Sequence, residues 1–533
     1  MLIDGRTIPN GQTLQTDVCI IGSGAAGITL ARAFSGQSFT VTLLAGGDLK
    51  PAPETQTLNA GPNVGLPYFA LEYCRARCFG GTTTWWGGHC RPLSDFDFEA
   101  KDWIPRSGWP IARKDIQSFR TEAEEILNLR MGHWDPKTWA ADSGLKELPL
   151  DPQLFETRVA QIISPSSQRR FGTIFRKDIE SAANVTTYLN ANVVEIDTDE
   201  TGQTVTALKL ACIDGPRFTI VPKVCILAAG GLENPRLLLV SDRVQKAGLG
   251  NQHDLVGRFF LEHPRFEAGT FYPVNSDAGE MLYGPHKLLD GTAIKSYFGL
   301  TPGCARAEEI VDVQLRMERL YDPAYKRSRN SVGFNVFRRM VQQIKAGEVP
   351  ESLGSSIATV FSDIDNVALA TYMTAFKKGL IGPMRLTARV DPTPNPDSRV
   401  TLIDQRDELG VRRVQLDWRL TPQDKRSARR VVELFAQAVG KSGLGRVHIG
   451  FEDDGSAAQW PPSLAGGYHH MGTTRMSDDP KQGVVDRDCR VHGMSNLWVA
   501  GSSVFPTAGS GTPTMMIITL ALRLAEDVKK RMA

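Results

Sequence analysis

Three stretches of this chain carry residue types that could do chemistry. The first is Gly22-Ser23-Gly24-Ala25-Ala26-Gly27, glycines spaced G-x-G-x-x-G. Gly22 permits a tight turn, Gly24 lets backbone approach a phosphate, and Gly27 lets a helix pack on a strand. The helix that follows offers free N–H groups and a partial positive charge to a pyrophosphate. The second runs from Phe79 to Gly88, where Gly80, Gly81, Thr82, Thr83 and Gly87 surround Trp85 and Trp86. Glycines, small hydroxyls and indoles can let backbone lie flat against a planar ring, or can simply form a turn with a core Trp. The third is the tail. Tyr468-His469-His470-Met471-Gly472-Thr473-Thr474 is followed by Gly501-Ser502-Ser503 and Gly511-Thr512-Pro513-Thr514. A histidine suits a general base because its pKa lies near working pH. On the residues alone, core packing is the better account of either histidine.

The elements that must position these stretches follow from hydrophobic pattern. Val18 to Ile21 reads as a buried strand before the glycine turn, and Phe39 to Leu44 as a second strand. A dinucleotide fold places an acidic residue at the end of that second strand to hold ribose hydroxyls. Ala45 stands there, and Asp48 is out of register. Residues 51–78 read as a long loop, and a helix follows Trp109-Pro110-Ile111. Residues 184–196 give two short strands, and 204–211 with 217–224 a hairpin around Asp214-Gly215. Val224 to Ala229 is a buried strand ending in Gly230-Gly231, and Asn234-Pro235 starts a helix.

From about 265 to 445 the character changes to mixed strands and helices without a glycine fingerprint. Thr421-Pro422 caps a helix carrying Val431, Val432, Leu434, Phe435 and Val439. Its cluster of Lys425, Arg426, Arg429 and Arg430 reads as a solvated face. We therefore expect a cofactor domain in two parts, 1–264 and 446–533, with 265–445 as a substrate-binding lid. Leu497 to Ala500 reads as a strand, and Met515 to Ala525 as a buried helix.

Composition bounds the rest. The 533 residues include 61 basic and 59 acidic side chains, a net charge of +2, which gives no pull toward nucleic acid or acidic membranes. No run of about 18 apolar residues exists, so no membrane insertion is expected. The start has no signal-peptide pattern and the eight cysteines are scattered, so a cytoplasmic location with reduced thiols is expected, and no metal site.

Taken together, the glycine stretches resemble the glucose–methanol–choline (GMC) family of flavoprotein oxidoreductases, nearest its bacterial branch of fructose dehydrogenase, glucoside 3-dehydrogenase and pyranose oxidase-like enzymes. The resemblance also runs through Ala229-Gly230-Gly231-x-Glu233-Asn234-Pro235-Arg236, Gly257-Arg258-x-x-x-Glu262-His263-Pro264, Pro394 to Val400 and the tail from His469 to Leu524. It implies an α/β fold: a Rossmann-like FAD-binding domain of the GMC and p-hydroxybenzoate hydroxylase type, with a second α+β domain on a mostly antiparallel sheet. It implies FAD held by Gly22, Ser23, Gly24, Ala25 and Gly27, by Gly80, Gly81, Thr82, Thr83 and Gly87, by Val193 through its backbone at the adenine end, and by Gly230, Gly501, Ser502, Pro513 and Thr514. It makes His469, first in His-x-x-Gly-Thr, the catalytic base, and leaves His470 structural. The family's second His or Asn falls at Thr512, which here would orient the substrate hydroxyl.

Where some relatives attach flavin through a histidine, this chain has Trp85, so non-covalent FAD is expected. The implied reaction is oxidation of a CH–OH group of a sugar, glycoside or polyol, with oxygen, a quinone or a redox protein as electron acceptor. Oxidation of a non-sugar alcohol, or a fold retained without redox catalysis, are the alternatives.

Overall fold

The computed structural model describes residues 1–274, 281–288, 290–321, 327–328, 330–345, 353–375 and 380–533. Two eight-stranded sheets organise it, beside a two-stranded sheet of β15 (Arg399–Arg406) and β16 (Arg412–Asp417). The first begins with β1 (Leu2–Asp4), β2 (Thr13–Ile21) and β3 (Val41–Leu44). It continues with β6 (Val185–Leu189), β7 (Asn192–Thr198), β8 (Val205–Ala211), β9 (Arg217–Leu227) and β18 (Leu497–Val499). Its order is β1-β6-β3-β2-β9-β8-β7, with β18 also on β9. The pairings among β1, β6, β3, β2, β9 and β18 are parallel, whereas β8 joins β9 and β7 antiparallel. Parallel strands are buried on both faces, and β3 reads accordingly as four buried residues in a row.

Helix α1 (Ala25–Ala33) follows β2 directly and packs against the sheet. The close fit needs glycine. A Cβ on Gly27 would stand 1.8 Å from the Gly22 carbonyl oxygen, and one on Gly22, whose φ is +109°, would stand 2.5 Å from that of Ala228. Helix α2 (Glu233–Val240) follows β9.

The second sheet is antiparallel, in the order β17-β10-β14-β13-β12-β5-β4 with β11 on β12. Its strands are β4 (His89–Cys90), β5 (Phe155–Ile162), β10 (Arg265–Pro273), β11 (Gly284–Lys287), β12 (Ala293–Leu300), β13 (Val313–Tyr321), β14 (Leu380–Val390) and β17 (Gly445–Ile449). The sheet thus draws β4 and β5 from before residue 264. That reach is long-range pairing, Ala293–Leu300 against Phe155–Ile162, which local pattern does not display.

Helix α3 (Pro422–Lys441) covers one face of this sheet. Thr421 caps it, in a capping box with Asp424. Val431, Val432, Phe435 and Val439 bury against Phe266, Phe298, Leu315 and Leu386. The basic cluster on α3 is not a freely solvated face. Lys425 is 3% exposed and pairs with Asp454, while Arg430 holds Glu308 at 2.8 Å. Helix α4 (Pro513–Met532) closes the chain and packs on α1, with Met515, Ile518, Leu522 and Ala525 buried. All eight cysteines are buried and unpaired. Among the described residues no helix is long and apolar enough to cross a membrane.

Candidate active site

A cavity of about 830 Å³ runs between the two sheets. One end is the turn after β2, lined by Gly22, Ser23, Gly24, Ala25 and Ala26. Gly24 is the N-cap of α1 and supplies no side-chain cap, so the first N–H groups of the helix are left for a ligand. A Cβ on Gly24 would meet no protein atom. The next wall is Gly81, Thr82, Thr83, Trp85, Trp86 and Gly87, with Gly230, Gly501 and Ser502 opposite. Thr512, Pro513 and Thr514 bring the N-terminus of α4 to the same space.

The sequence-derived residues therefore converge, with three exceptions. Gly27 and Gly80 serve packing: Gly80 lies against Gly172, where a Cβ would stand 2.7 Å from the Gly172 nitrogen. Val193 pairs with Leu210 and buries its side chain in the core, away from the cavity lining. In place of the missing acid at Ala45, this end of the cavity holds Asn59, Arg75, Arg77 and Glu233. Glu233 sits 3.0 Å from Arg77 and 3.2 Å from Arg236, and these guanidinium groups hold its carboxyl down at about 2 against the cost of burial. Arg75 Nε and Nη1 are buried without partners. Orphaned donors of this kind, beside a glycine cradle, fit a polar dinucleotide.

His469 lines the other end. The residue before it, Tyr468, has φ +63° and stacks on Phe69 at 4.1 Å between ring centroids, which holds the chain in a left-handed turn. Buried Glu262 fixes both histidine-bearing segments. Its carboxylate accepts from the His469 N–H at 3.0 Å, the His263 N–H at 2.8 Å and the Tyr68 hydroxyl at 2.5 Å. His470 turns away to Tyr68, 2.9 Å from its hydroxyl.

The imidazoles of His263 and His469 meet Nδ1 to Nδ1 at 2.8 Å. His263 Nε2 lies 2.8 Å from the carbonyl oxygen of Gly509. A carbonyl only accepts, so His263 carries its proton on Nε2 and its Nδ1 is a bare acceptor. His469 must then donate from Nδ1, which leaves the lone pair on its Nε2. That atom has no hydrogen-bond partner among the described residues. Burial, with Arg389 and Arg316 nearby, pushes the pKa of both rings well below the ordinary histidine value, so both are neutral. The arrangement is a neutral imidazole with its basic nitrogen free, which can take a proton from a hydroxyl.

Thr512 caps α4 by backbone alone. Its hydroxyl donates to the His89 carbonyl at 2.6 Å. His263 and Glu262 have no separate sequence signal beyond the Glu262-His263-Pro264 motif. Their role needs the contact across 206 residues that brings His263 to His469.

Residues 394–521 match a family profile described as GMC oxidoreductase. That segment, the C-terminal quarter of the chain, therefore carries a GMC oxidoreductase domain. The chain is similar to the fructose dehydrogenase large subunit of Gluconobacter japonicus, 23% identical over 345 residues, 64% of this chain and 53% of that protein. It is also similar to 2-methyl-1,2-propanediol dehydrogenase of Mycolicibacterium austroafricanum, 23% identical over 584 aligned positions covering 97% and 96% of the two chains. The first match spans about half the length of that relative. Among solved structures, pyridoxine 4-oxidase of Mesorbium loti superposes with a TM-score of 0.56 at 17% identity, covering 96% of this chain and 99% of that one. That likeness shows that the two chains share a fold. Members of the GMC family are flavoproteins.

Proposed function

We propose that this protein is an FAD-dependent oxidoreductase that converts a CH–OH group of a small molecule to a carbonyl, with FAD bound non-covalently. The observation that carries this reading is His469: a neutral imidazole whose free Nε2 shares one cavity with the glycine cradle of α1. FAD, when bound, accepts the hydride from the carbon. The free N–H groups of α1 would hold its diphosphate, and the N-terminus of α4 would offer a positive partial charge to the negative charge that reduced flavin gathers.

The chain's own residues do the rest. His469 Nε2 takes the hydroxyl proton as the carbon loses its hydride. His263 holds that imidazole in the right tautomer through Nδ1, and Glu262 fixes the segments that bear both rings. The Thr512 hydroxyl donates its hydrogen bond to the His89 backbone carbonyl, so it can orient a substrate hydroxyl only by accepting from it. Fructose dehydrogenase and 2-methyl-1,2-propanediol dehydrogenase, named for a sugar and a diol, support a sugar or polyol as the alcohol.

The test is anaerobic mixing of the purified holoprotein with a panel of alcohols and sugars. Loss of the oxidised flavin's visible absorbance is expected, together with release of the flavin on acid precipitation. Flavin that stays oxidised with every alcohol would end the reading. Flavin retained in the precipitate would end the non-covalent assignment alone.

A further inference from the structure

The second sheet presents two unlike faces. One packs on α3 through Phe266, Phe298, Leu315 and Leu386. The other faces the cavity and is basic. Arg265 on β10, Lys295 on β12, Arg316 on β13 and Arg389 on β14 all line the cavity. The register holds the row together: Arg389 pairs directly across with Arg265 on one side and Gln314 on the other. Among the described residues none of the four forms an ion pair. Arg389 is 5% exposed and gives one guanidinium N–H to the Gly511 carbonyl at 2.7 Å, and the Nε atoms of Arg389 and Arg316 are buried without partners.

The only carboxylate on the cavity wall among the described residues is Glu233, held by its arginines at the opposite end. Arg389 is buried, Lys295 and Arg316 are half-buried and Arg265 is exposed at the rim; cations withdrawn from water are normally paired, because an unpaired buried charge is expensive. These four also repel one another: burial first, then Arg316, Arg265 and Arg389, outweigh Glu318 and pull Lys295 down to about 8, and burial with Arg316 pulls Arg389 down to about 10. A fold that gathers such groups beside a catalytic base leaves their counter-charge to be supplied by a ligand.

We propose that the alcohol this protein oxidises is an anion, carrying a carboxylate or phosphate that the Arg265–Lys295–Arg316–Arg389 row binds while its CH–OH group meets His469. Guanidinium groups suit such oxyanions because their planar forks match two oxygens at once. The proposal rests on the oxidoreductase reading for the reaction, but the oxyanion site stands on the sheet alone.

The test has two readouts. Anaerobic flavin reduction is measured for a neutral sugar, its uronate and its phosphate ester, in wild type and in Lys295→Met and Arg316→Met. Thermal unfolding of the holoprotein is measured in inorganic phosphate or sulfate against chloride at equal ionic strength. We expect at least one anionic form to reduce the flavin about tenfold more efficiently than the neutral parent, by reduction rate over half-saturation, a preference of about 1.4 kcal/mol. Its identity separates a carboxylate from a phosphate substrate. We also expect a higher unfolding midpoint in phosphate or sulfate, and loss of both effects in Arg316→Met and Lys295→Met. Equal reduction by neutral and anionic forms, with no anion-specific shift in wild type, overturns the proposal. If no alcohol reduces the flavin, the oxidoreductase reading fails separately. The unfolding shift then still decides the oxyanion site: present in wild type and lost in the variants, it upholds the site, and absent, it removes it.

Discussion

The two ends of the cavity are built in opposite ways. The cofactor end is made from contiguous sequence: a strand, a glycine turn and a helix within Thr13–Ala33, backed by glycine stretches whose backbones come close. The end proposed for the substrate is made from single side chains on separate strands, joined only by register. The first kind of site recognises a group through backbone and helix termini, which any related sequence can supply. The second depends on which side chain each strand turns inward, and substitutions there can change specificity without touching the fold.

The sharpest way to break this contrast is at Gly27. Gly27→Ala places a methyl in the Gly22 carbonyl, so the turn must open. We expect loss of bound flavin and of most soluble protein, read by absorbance and yield. A folded, flavin-replete variant would show that the cofactor end does not depend on backbone closeness.

His469→Asn tests the other end. Removing a general base should slow flavin reduction by about 10²- to 10⁴-fold while flavin stays bound. A loss under tenfold would assign proton removal elsewhere.

Phe435→Ala asks whether α3 supports the substrate sheet through packing. The ring is fully buried against Phe155, Phe271 and Phe298, so a stability loss of about 3–5 kcal/mol is expected in denaturant unfolding. A loss under about 1 kcal/mol would mean that the sheet holds its shape without the helix.

A smaller effect lies in acid. Burial and Arg75 lower His470 to about 3. As pH falls below about 6.5 the unfolded chain takes up a proton that folded His470 refuses, so folded stability declines until pH nears 3. Wild type should therefore lose stability relative to His470→Gln between pH of about 6.5 and about 4, measured as the difference in unfolding midpoint. A difference that is constant with pH would show that His470 titrates normally.

Much of the cofactor half was legible because its constraints are local. A glycine at Gly22 is demanded by φ +109° and a neighbouring carbonyl, and such demands are written at one position. Buried strands such as Val41–Leu44 announce themselves by unbroken hydrophobicity. Val193, expected to act through its backbone, sits on the edge strand β7 opposite Leu210 with its side chain in the core, a placement that strand pattern alone does not display. The solvated reading of Lys425 missed Asp454, because charge along a helix does not say what packs beside it.

The sequence by itself determined the fold class, the glycine turn after β2 and His469 as the candidate base, since each rests on short-range pattern and residue chemistry. Tertiary structure alone decided that His263 sets the tautomer of His469, that Glu262 fixes both, and that four cations from four strands share one wall. A hydrogen bond across 206 residues, or a row of side chains across antiparallel strands, has no local signature. It exists only once strand register brings distant positions together.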